Sequence, residues 1–132
     1  MDDDDFMDKE ILVLVESPFA GKDEAELAKN IRYARACLYD CLRRGEYPFA
    51  SHLLYTQTGI LKDGVPEERK LGIQAGLAWG RCAKKTVVYT DLGVTKGMTL
   101  GIARANEAKR SVEFRTLSNW EEVITDPSPL TF

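Results

Sequence analysis

The segment ILVLVESPFAG, residues 11–21, decides how the chain is organised. Its first five residues form an uninterrupted apolar run, which is typical of a strand covered on both faces in a parallel sheet. Glu16 follows directly, and a carboxylate is tolerated there if the strand opens into a solvated cleft. The alternative is that Glu16 caps a nearby helix or pairs with a lysine. The segment therefore predicts the first strand of a parallel sheet.

Downstream of this strand, helical and strand patterns alternate. Residues 22–44 carry a helical apolar period, with Asp23 as a candidate N-cap and Gly45 as a stop signal. Further strands are predicted at 47–55, 86–90 and 111–115, and further helices at 66–83, 95–109 and near the end of the chain. This alternation predicts an α/β three-layer sandwich of the Rossmann-like type, with helices on both faces and right-handed crossovers. We expect a mostly parallel four-stranded sheet in the order 2-1-3-4.

Two local features refine this prediction. Pro48 is compatible only with the start of the second strand, because proline cannot donate to a sheet ladder. Gly72, Gly76 and Gly80 recur every four residues along one face of the helix predicted at 66–83. Interior glycine costs up to about 1 kcal/mol relative to alanine. We therefore expect another backbone to pack closely on this face, from either the sheet or a second subunit.

Length and composition limit the classes of protein. The 132 residues fit one domain, which we place at 11–125 between an acidic flexible tail at 1–10 and a C-terminal tail at 126–132. A net charge of −3 argues against a nucleic-acid polymer as the partner, although it permits a single nucleotide. The sequence shows no signal peptide and no apolar run long enough to span a membrane. We therefore expect a cytoplasmic protein without membrane contact.

The cysteine pattern favours a structural role. Cys37 and Cys41 are four residues apart and would share a helix face, which would suit a metal pair, but there is no second cluster and only one histidine. The interpretation we prefer is that Cys37, Cys41 and Cys82 are buried thiols in a reducing compartment. No metal and no cofactor are expected.

The predicted strand order places a ligand site at the carboxyl ends of strands 1 and 3, where the order reverses. Glu16 ends strand 1, and Asp91 follows strand 3. Both are candidate catalytic carboxylates, suited to binding sugar hydroxyls or to acting as nucleophile or general acid.

Other residues near this edge are candidate ligand-binding groups. A histidine is more often structural, and the two tyrosines could stack on a base or belong to the core. The candidates are Ser17, Pro18, Phe19, His52, Tyr55, Tyr89, Gly93, Thr95, Gly97 and Met98.

The segment VVYTDLGVTKGMTLGIARA, residues 87–105, resembles the nucleoside 2-deoxyribosyltransferase-like superfamily, as does the Ser-Pro-Phe turn at 17–19. The resemblance implies a flavodoxin-like sheet, a nucleoside or nucleotide ligand and a homo-oligomer. More closely, PFASHLLYTQ, ERKLGIQAGLAWG and VVYTDLG look like segments of a group of small phage and prophage proteins.

One departure from that superfamily bears on catalysis. Its enzymes carry a nucleophilic glutamate in the last helix motif, where this chain has Thr99 or, in a shifted register, Gly101. Three hypotheses follow. The first is a phage-type protein that binds and sequesters a nucleotide metabolite or signal. The second is an N-glycosidic-bond enzyme, a deoxyribosyltransferase or hydrolase, that uses Glu16 and Asp91. The third is an interaction module whose interface is the glycine face.

Overall fold

The computed structural model describes residues 10–123, which form four strands and five helices. The strands are β1 (Ile11–Glu16), β2 (Glu46–Phe49), β3 (Lys85–Tyr89) and β4 (Ser111–Arg115). The helices are α1 (Glu24–Arg43), α2 (Ser51–Leu54), α3 (Pro66–Gly80), α4 (Lys96–Glu107) and α5 (Trp120–Val123). All strand pairs are parallel, and the order is β2-β1-β3-β4. This confirms the predicted α/β fold and strand order; the predicted tails lie almost wholly outside the described residues.

The two faces of the sheet are covered by different helices. On one face, which we call the α1 face, Val13 and Val15 of β1 join the main apolar cluster with Tyr33 and Cys37 of α1 and Trp120 of α5. Alternate residues of β1 point to the opposite face, which we call the α4 face and which α3 and α4 cover. Right-handed crossovers explain why different helices cover the two faces. The chain passes from β1 to β2 on one side and later to β3 and β4 on the other, so the connecting helices lie on opposite faces. Within residues 10–123, no helix has the length and apolar content needed to cross a membrane.

Helix α1 confirms its sequence signals. The Asp23 side chain accepts a hydrogen bond from the Glu26 amide at 2.8 Å, and Gly45 has a φ of +82° just beyond the helix. Cys37 and Cys41 are buried, and burial raises the pKa of both thiols, so they pack as neutral groups. The prediction that all three cysteines are buried was wrong for Cys82, which is exposed. Among the described residues, no group of three or more potential metal ligands occurs.

The second strand is shorter than predicted. The prediction of one strand over 47–55 was wrong in its second half, since β2 ends at Phe49 and α2 begins at Ser51. A short apolar run does not distinguish a strand from a helical turn, and here packing against α3 decides. The placement of Pro48 only at the start of the strand was also wrong. It is the third of four residues, which is possible because β2 is an edge strand.

The glycines of α3 contact their own chain. A Cβ at Gly76 would lie 2.6 Å from the Ser51 hydroxyl of α2, and one at Gly80 would lie 3.4 Å from the Leu14 side chain of β1. The expectation that another backbone packs on this face was wrong, because the nearest atoms are side-chain atoms, supplied by α2 and the sheet. These side chains fill the face that the interaction-module hypothesis needed, and the homo-oligomer stays a prediction from the resemblance alone.

We expect Gly76→Ala to destabilise the fold by about 1–3 kcal/mol, because the added methyl group overpacks the contact with Ser51. Gly72→Ala is the matched control, since its Cβ would meet only the tip of Leu61 at 3.4 Å and would gain helix propensity. Urea denaturation of both variants measures the difference. If the contact with α2 requires glycine, adding Ser51→Gly should restore the stability that Gly76→Ala loses. Equal stability of Gly76→Ala and Gly72→Ala would show that the contact does not require glycine.

A buried ion network lies on the α1 face. Arg115 of β4 donates to both carboxylate oxygens of Glu46, at 2.8 and 2.6 Å, and also pairs with Glu113. Lys85 completes the network with a 2.9 Å ion pair to Glu46. The side chains of Arg115 and Glu46 are only 4% and 5% exposed. The stability of the fold therefore depends on a desolvated ion pair. The two hydrogen bonds between the guanidinium and the carboxylate compensate for the cost of its desolvation.

Candidate functional site

Glu16 lies at the carboxyl end of β1 and points to the α4 face. Leu14 and Glu16 alternate with the core residues Val13 and Val15, so the period of the strand fixes this direction. The carboxylate packs against Gly101 in the second turn of α4, where a Cβ would overlap its carbon and both its oxygens. Only glycine lets the helix approach this closely. The sequence showed that position 101 carries no nucleophile. It did not show that Gly101 packs against Glu16.

The environment of Glu16 is unusual for a carboxylate. Among residues 10–123, no group forms a hydrogen bond or ion pair with its oxygens, yet neither oxygen is sealed from solvent. Burial raises the pKa of Glu16 to about 7, and the positive charge of Arg110 partly opposes this. At neutral pH the group therefore populates both its proton-donating and its nucleophilic form. Perturbed carboxylates of this kind cluster at functional sites.

Asp91, the second candidate acid, is engaged in holding the fold together. Its Oδ2 accepts a hydrogen bond from the Tyr33 hydroxyl at 2.6 Å, and both oxygens accept from the Leu117 amide at 3.0 and 2.8 Å. The Asp91 amide in turn donates to the Tyr33 hydroxyl. These contacts place Asp91 on the α1 face. Glu16 and Asp91 thus share the predicted edge of the sheet, but they lie on opposite faces of it.

An open cleft of about 640 Å³ lies at the switch point between β1 and β3. Pro18 bounds it on the β1 side, Asp91 on the β3 side, and Thr95 at the start of α4. Its lining is of mixed charge, with Lys22 and Lys29 set against Asp23 and Glu26. The cleft therefore occupies the predicted position and contains three of the predicted residues, whereas Glu16 is not part of its lining.

The loop beside this cleft is held by a residue that the sequence analysis missed. Asn30 of α1 is buried, and its side-chain amide donates to the carbonyl oxygens of Phe19 and Ala20 at 3.0 and 3.4 Å. A single polar residue on the inner side of an amphipathic helix was the available signal. Asn30 fixes the turn that follows Glu16.

Ser17 and His52 form a hydrogen-bonded pair where β1 and α2 meet. The Ser17 hydroxyl and His52 Nε2 are 2.8 Å apart, and the Phe19 ring contacts the imidazole edge-on. Burial lowers the pKa of His52 to about 4, so the imidazole is neutral at physiological pH. The structure therefore brings together three predicted residues in a packed, neutral cluster that braces the turn after Glu16.

We expect the titrations of Glu16 and His52 to cancel in wild-type stability between about pH 4.5 and 6.5. The raised pKa of Glu16 removes stability as pH rises from 4.5 to 7, whereas the lowered pKa of His52 removes stability as pH falls from 6.5 to 4. Glu16→Gln should lose stability on acidification relative to wild type, and His52→Gln should gain it, by up to about 1.4 kcal/mol per pH unit. Urea denaturation across this range measures the three profiles. Parallel profiles would contradict both assignments.

The two candidate stacking tyrosines differ in accessibility. Tyr89 is fully buried, and its hydroxyl donates to Asp40 at 2.7 Å, so neither face of its ring is open to a base. Tyr55 is half-buried beside Phe49 and accepts a hydrogen bond from the indole of Trp79 at 3.1 Å. Trp79 is 57% exposed, which places an aromatic surface at the β2 edge rather than in the predicted crevice.

The start of α4 has the geometry of a capped helix. Thr95 is the N-cap and accepts from the Met98 amide at 3.2 Å, and Met98 is buried beneath the first turn. Gly97 has open space around its Cα, and Gly93 turns the chain with a φ of +91°. Of these four candidates, Thr95 and Gly97 present accessible groups at the edge, and Met98 serves packing.

Thr99 is one of the two residues, with Gly101, that the sequence resemblance aligned with a nucleophilic glutamate. Its hydroxyl donates to the backbone oxygen of Thr95 at 3.1 Å, within the helix. The contacts identify a different carboxylate near this part of α4. It is Glu16, which reaches Gly101 from β1.

Comparison with solved structures finds the same fold in a 2-deoxyribosyltransferase of the psychrotolerant bacterium Bacillus psychrosaccharolyticus, a biocatalyst for nucleoside synthesis. The match covers 85% of this chain and 89% of that enzyme, with a TM-score of 0.56 and 17% sequence identity. At this identity the likeness concerns the fold. No curated protein sequence matches the chain. Residues 11–115 match the model of a family described as a domain of unknown function, DUF7768.

Proposed function

The chain belongs to the DUF7768 family, and we propose that it binds a nucleoside or nucleotide at the carboxyl edge of its sheet and cleaves the N-glycosidic bond with Glu16. The observation that carries this proposal is the state of Glu16: partly buried, without a partner among the described residues, and with its oxygens still in contact with solvent. A structural carboxylate is normally paired, because burying an unpaired charge is costly. The fold shared with a 2-deoxyribosyltransferase supports the class of substrate.

The chemistry requires one carboxylate that alternates between a free, ionised state and a covalent ester with the sugar. In its ionised form, a Glu16 oxygen forms a bond to the anomeric carbon, and the electron pair of the C–N bond leaves with the base, which takes a proton from water. Water then attacks the resulting ester, releases the sugar and restores the carboxylate; in a transferase, a second base replaces water. A group with a pKa near 7 suits this role, since it is ionised in a large share of molecules and is poorly solvated.

Binding without turnover is the second candidate, and one observation favours it. The oxygens of Asp91 accept hydrogen bonds from Tyr33 and Leu117, so Asp91 is not available as a second acid beside Glu16. A protein with this site would hold an intact nucleotide, and a phage-type protein could use it to remove a metabolite or signal from circulation. In this candidate Glu16 would accept hydrogen bonds from sugar hydroxyls.

One experiment separates the two candidates. The purified protein is incubated with nucleosides, deoxynucleosides and their 5′-monophosphates, washed, and heat-denatured, and both fractions are identified by mass spectrometry. We expect free base in the wash. An intact nucleotide released only on denaturation would support sequestration instead, and absence of both from every mixture would overturn the proposed function.

A further inference from the structure

Arg110 is held in a fixed position on the α4 face of the sheet. It precedes β4, and its Nε donates to the Thr86 hydroxyl of β3 at 2.9 Å, while Nη1 donates to the Gly80 carbonyl at the end of α3 at 2.8 Å. Thr86 is fully buried. Since the two acceptors belong to different elements, the planar guanidinium is restrained in both position and orientation.

The same face carries Glu16. In the pairing of β1 with β3, Leu14 lies beside Thr86 and Glu16 beside Val88. The anchor of Arg110 is therefore two residues, or roughly 7 Å, further from the carboxyl edge than the neighbour of Glu16. Arg110 does not form an ion pair with Glu16, but its charge acts on that carboxyl and opposes the effect of burial on its pKa.

Other charged groups near Glu16 point elsewhere. Helix α4 contacts the carboxylate through Gly101, and its charged residues Lys96, Arg104 and Glu107 are exposed. Strand β3 contributes Val88 beside it, and α3 carries its charged residues at 67–70, in its first turns. Arg110 is thus the cation that the described structure restrains on the same face of the sheet as Glu16.

We propose that Arg110 is a positioning residue for Glu16: a restrained cation, set back along the sheet, that favours the ionised form of the carboxyl without pairing with it. A direct ion pair would occupy the oxygens that the reaction needs, whereas a cation set back along the sheet leaves them open. This inference rests on the proposed function for its catalytic meaning, but the electrostatic relation between the two groups is testable without turnover.

The test measures the titration midpoint of the Glu16 carboxyl. Carbon NMR of protein labelled in its glutamate carboxyl groups monitors the titration, and Glu16→Gln assigns the signal. Arg110→Met should raise the midpoint by about 1 pH unit, and Arg110→Lys should restore most of the difference. Where turnover is measurable, the acidic limb of its pH profile should move by the same amount.

Two further variants separate charge from structure. Arg104→Met removes an exposed cation from α4 and should leave the midpoint unchanged. Thr86→Val keeps the charge of Arg110 but loosens its anchor, so the midpoint should rise by less, and this variant decides the question if Arg110→Met does not fold. Loss of stability with an unmoved midpoint would overturn the inference and leave Arg110 as a cap for α3. Absence of turnover with a moved midpoint would overturn the proposed function alone.

Discussion

Replacing Glu16 with glutamine should make the protein more stable and functionally inert. Glutamine preserves the size of the side chain and its contact with Gly101, but it carries no charge to desolvate. At pH 8 we expect Glu16→Gln to gain about 1–3 kcal/mol in unfolding free energy. The ionised carboxylate destabilises the folded state, because its pKa is raised from 4.5 to about 7 on folding. The gain should vanish near pH 4, where the carboxyl is protonated in both states.

Release of free base by Glu16→Gln should fall by more than about a hundredfold, in line with loss of a reacting acid or nucleophile. Denaturant titration and base-release assays on the same samples measure the two effects together. Glu107→Gln, an exposed substitution on α4, is the matched control and should change neither quantity. A variant that loses stability, or one that retains full turnover, would show that Glu16 is a structural residue.

Arg115→Met should strongly destabilise the fold. It leaves the buried Glu46 carboxylate without its bidentate partner, which costs about 3–5 kcal/mol out of the roughly 5–15 kcal/mol typical of a whole domain. Arg44→Met removes an ion pair of similar length to Asp40, but that pair is exposed, so the loss should be at most about 1 kcal/mol. Urea denaturation at pH 7 compares the two.

The acid dependence of the same network provides a second readout. Hydrogen bonds from Arg115, and then from Lys85, lower the pKa of Glu46 to about 2, so this carboxyl contributes stability above pH 4.5 and loses it as pH falls toward 2. Arg115→Met should show a weaker decline in this window. Adding Glu46→Gln should recover part of the loss, because no unpaired charge then remains. An Arg115 variant as stable as the Arg44 variant would contradict a buried role for the network.

The architecture could be predicted from the sequence because each main element carries a consistent local signal. The apolar run at 11–15, the capped helix that ends before Gly45 and the strand at 111–115 all agree with one topology. The miss at 50–55 arose where the signal was short and apolar. There the chain packs against α3, a segment distant in sequence, with Ser51 close to Gly76.

The edge of the site was predictable, but its faces were not. Strand order places the ends of β1 and β3 together, so Glu16 and Asp91 had to share an edge. Which face a side chain takes changes with each residue, and Asp91 lies beyond the end of β3, where the strand period no longer applies. The hydroxyl of Tyr33, from a different element, determines its direction. Contacts of this kind have no signature in the residues that follow a strand.

The proline in β2 also bears on how the molecule meets other polypeptides. An edge strand normally presents a row of backbone donors and acceptors that can template a further strand, and this is a common start of aggregation. Pro48 removes one donor from the middle of a four-residue strand, so an added strand would find an interrupted ladder at the β2 margin. The proline therefore disfavours growth of the sheet by strand addition at β2.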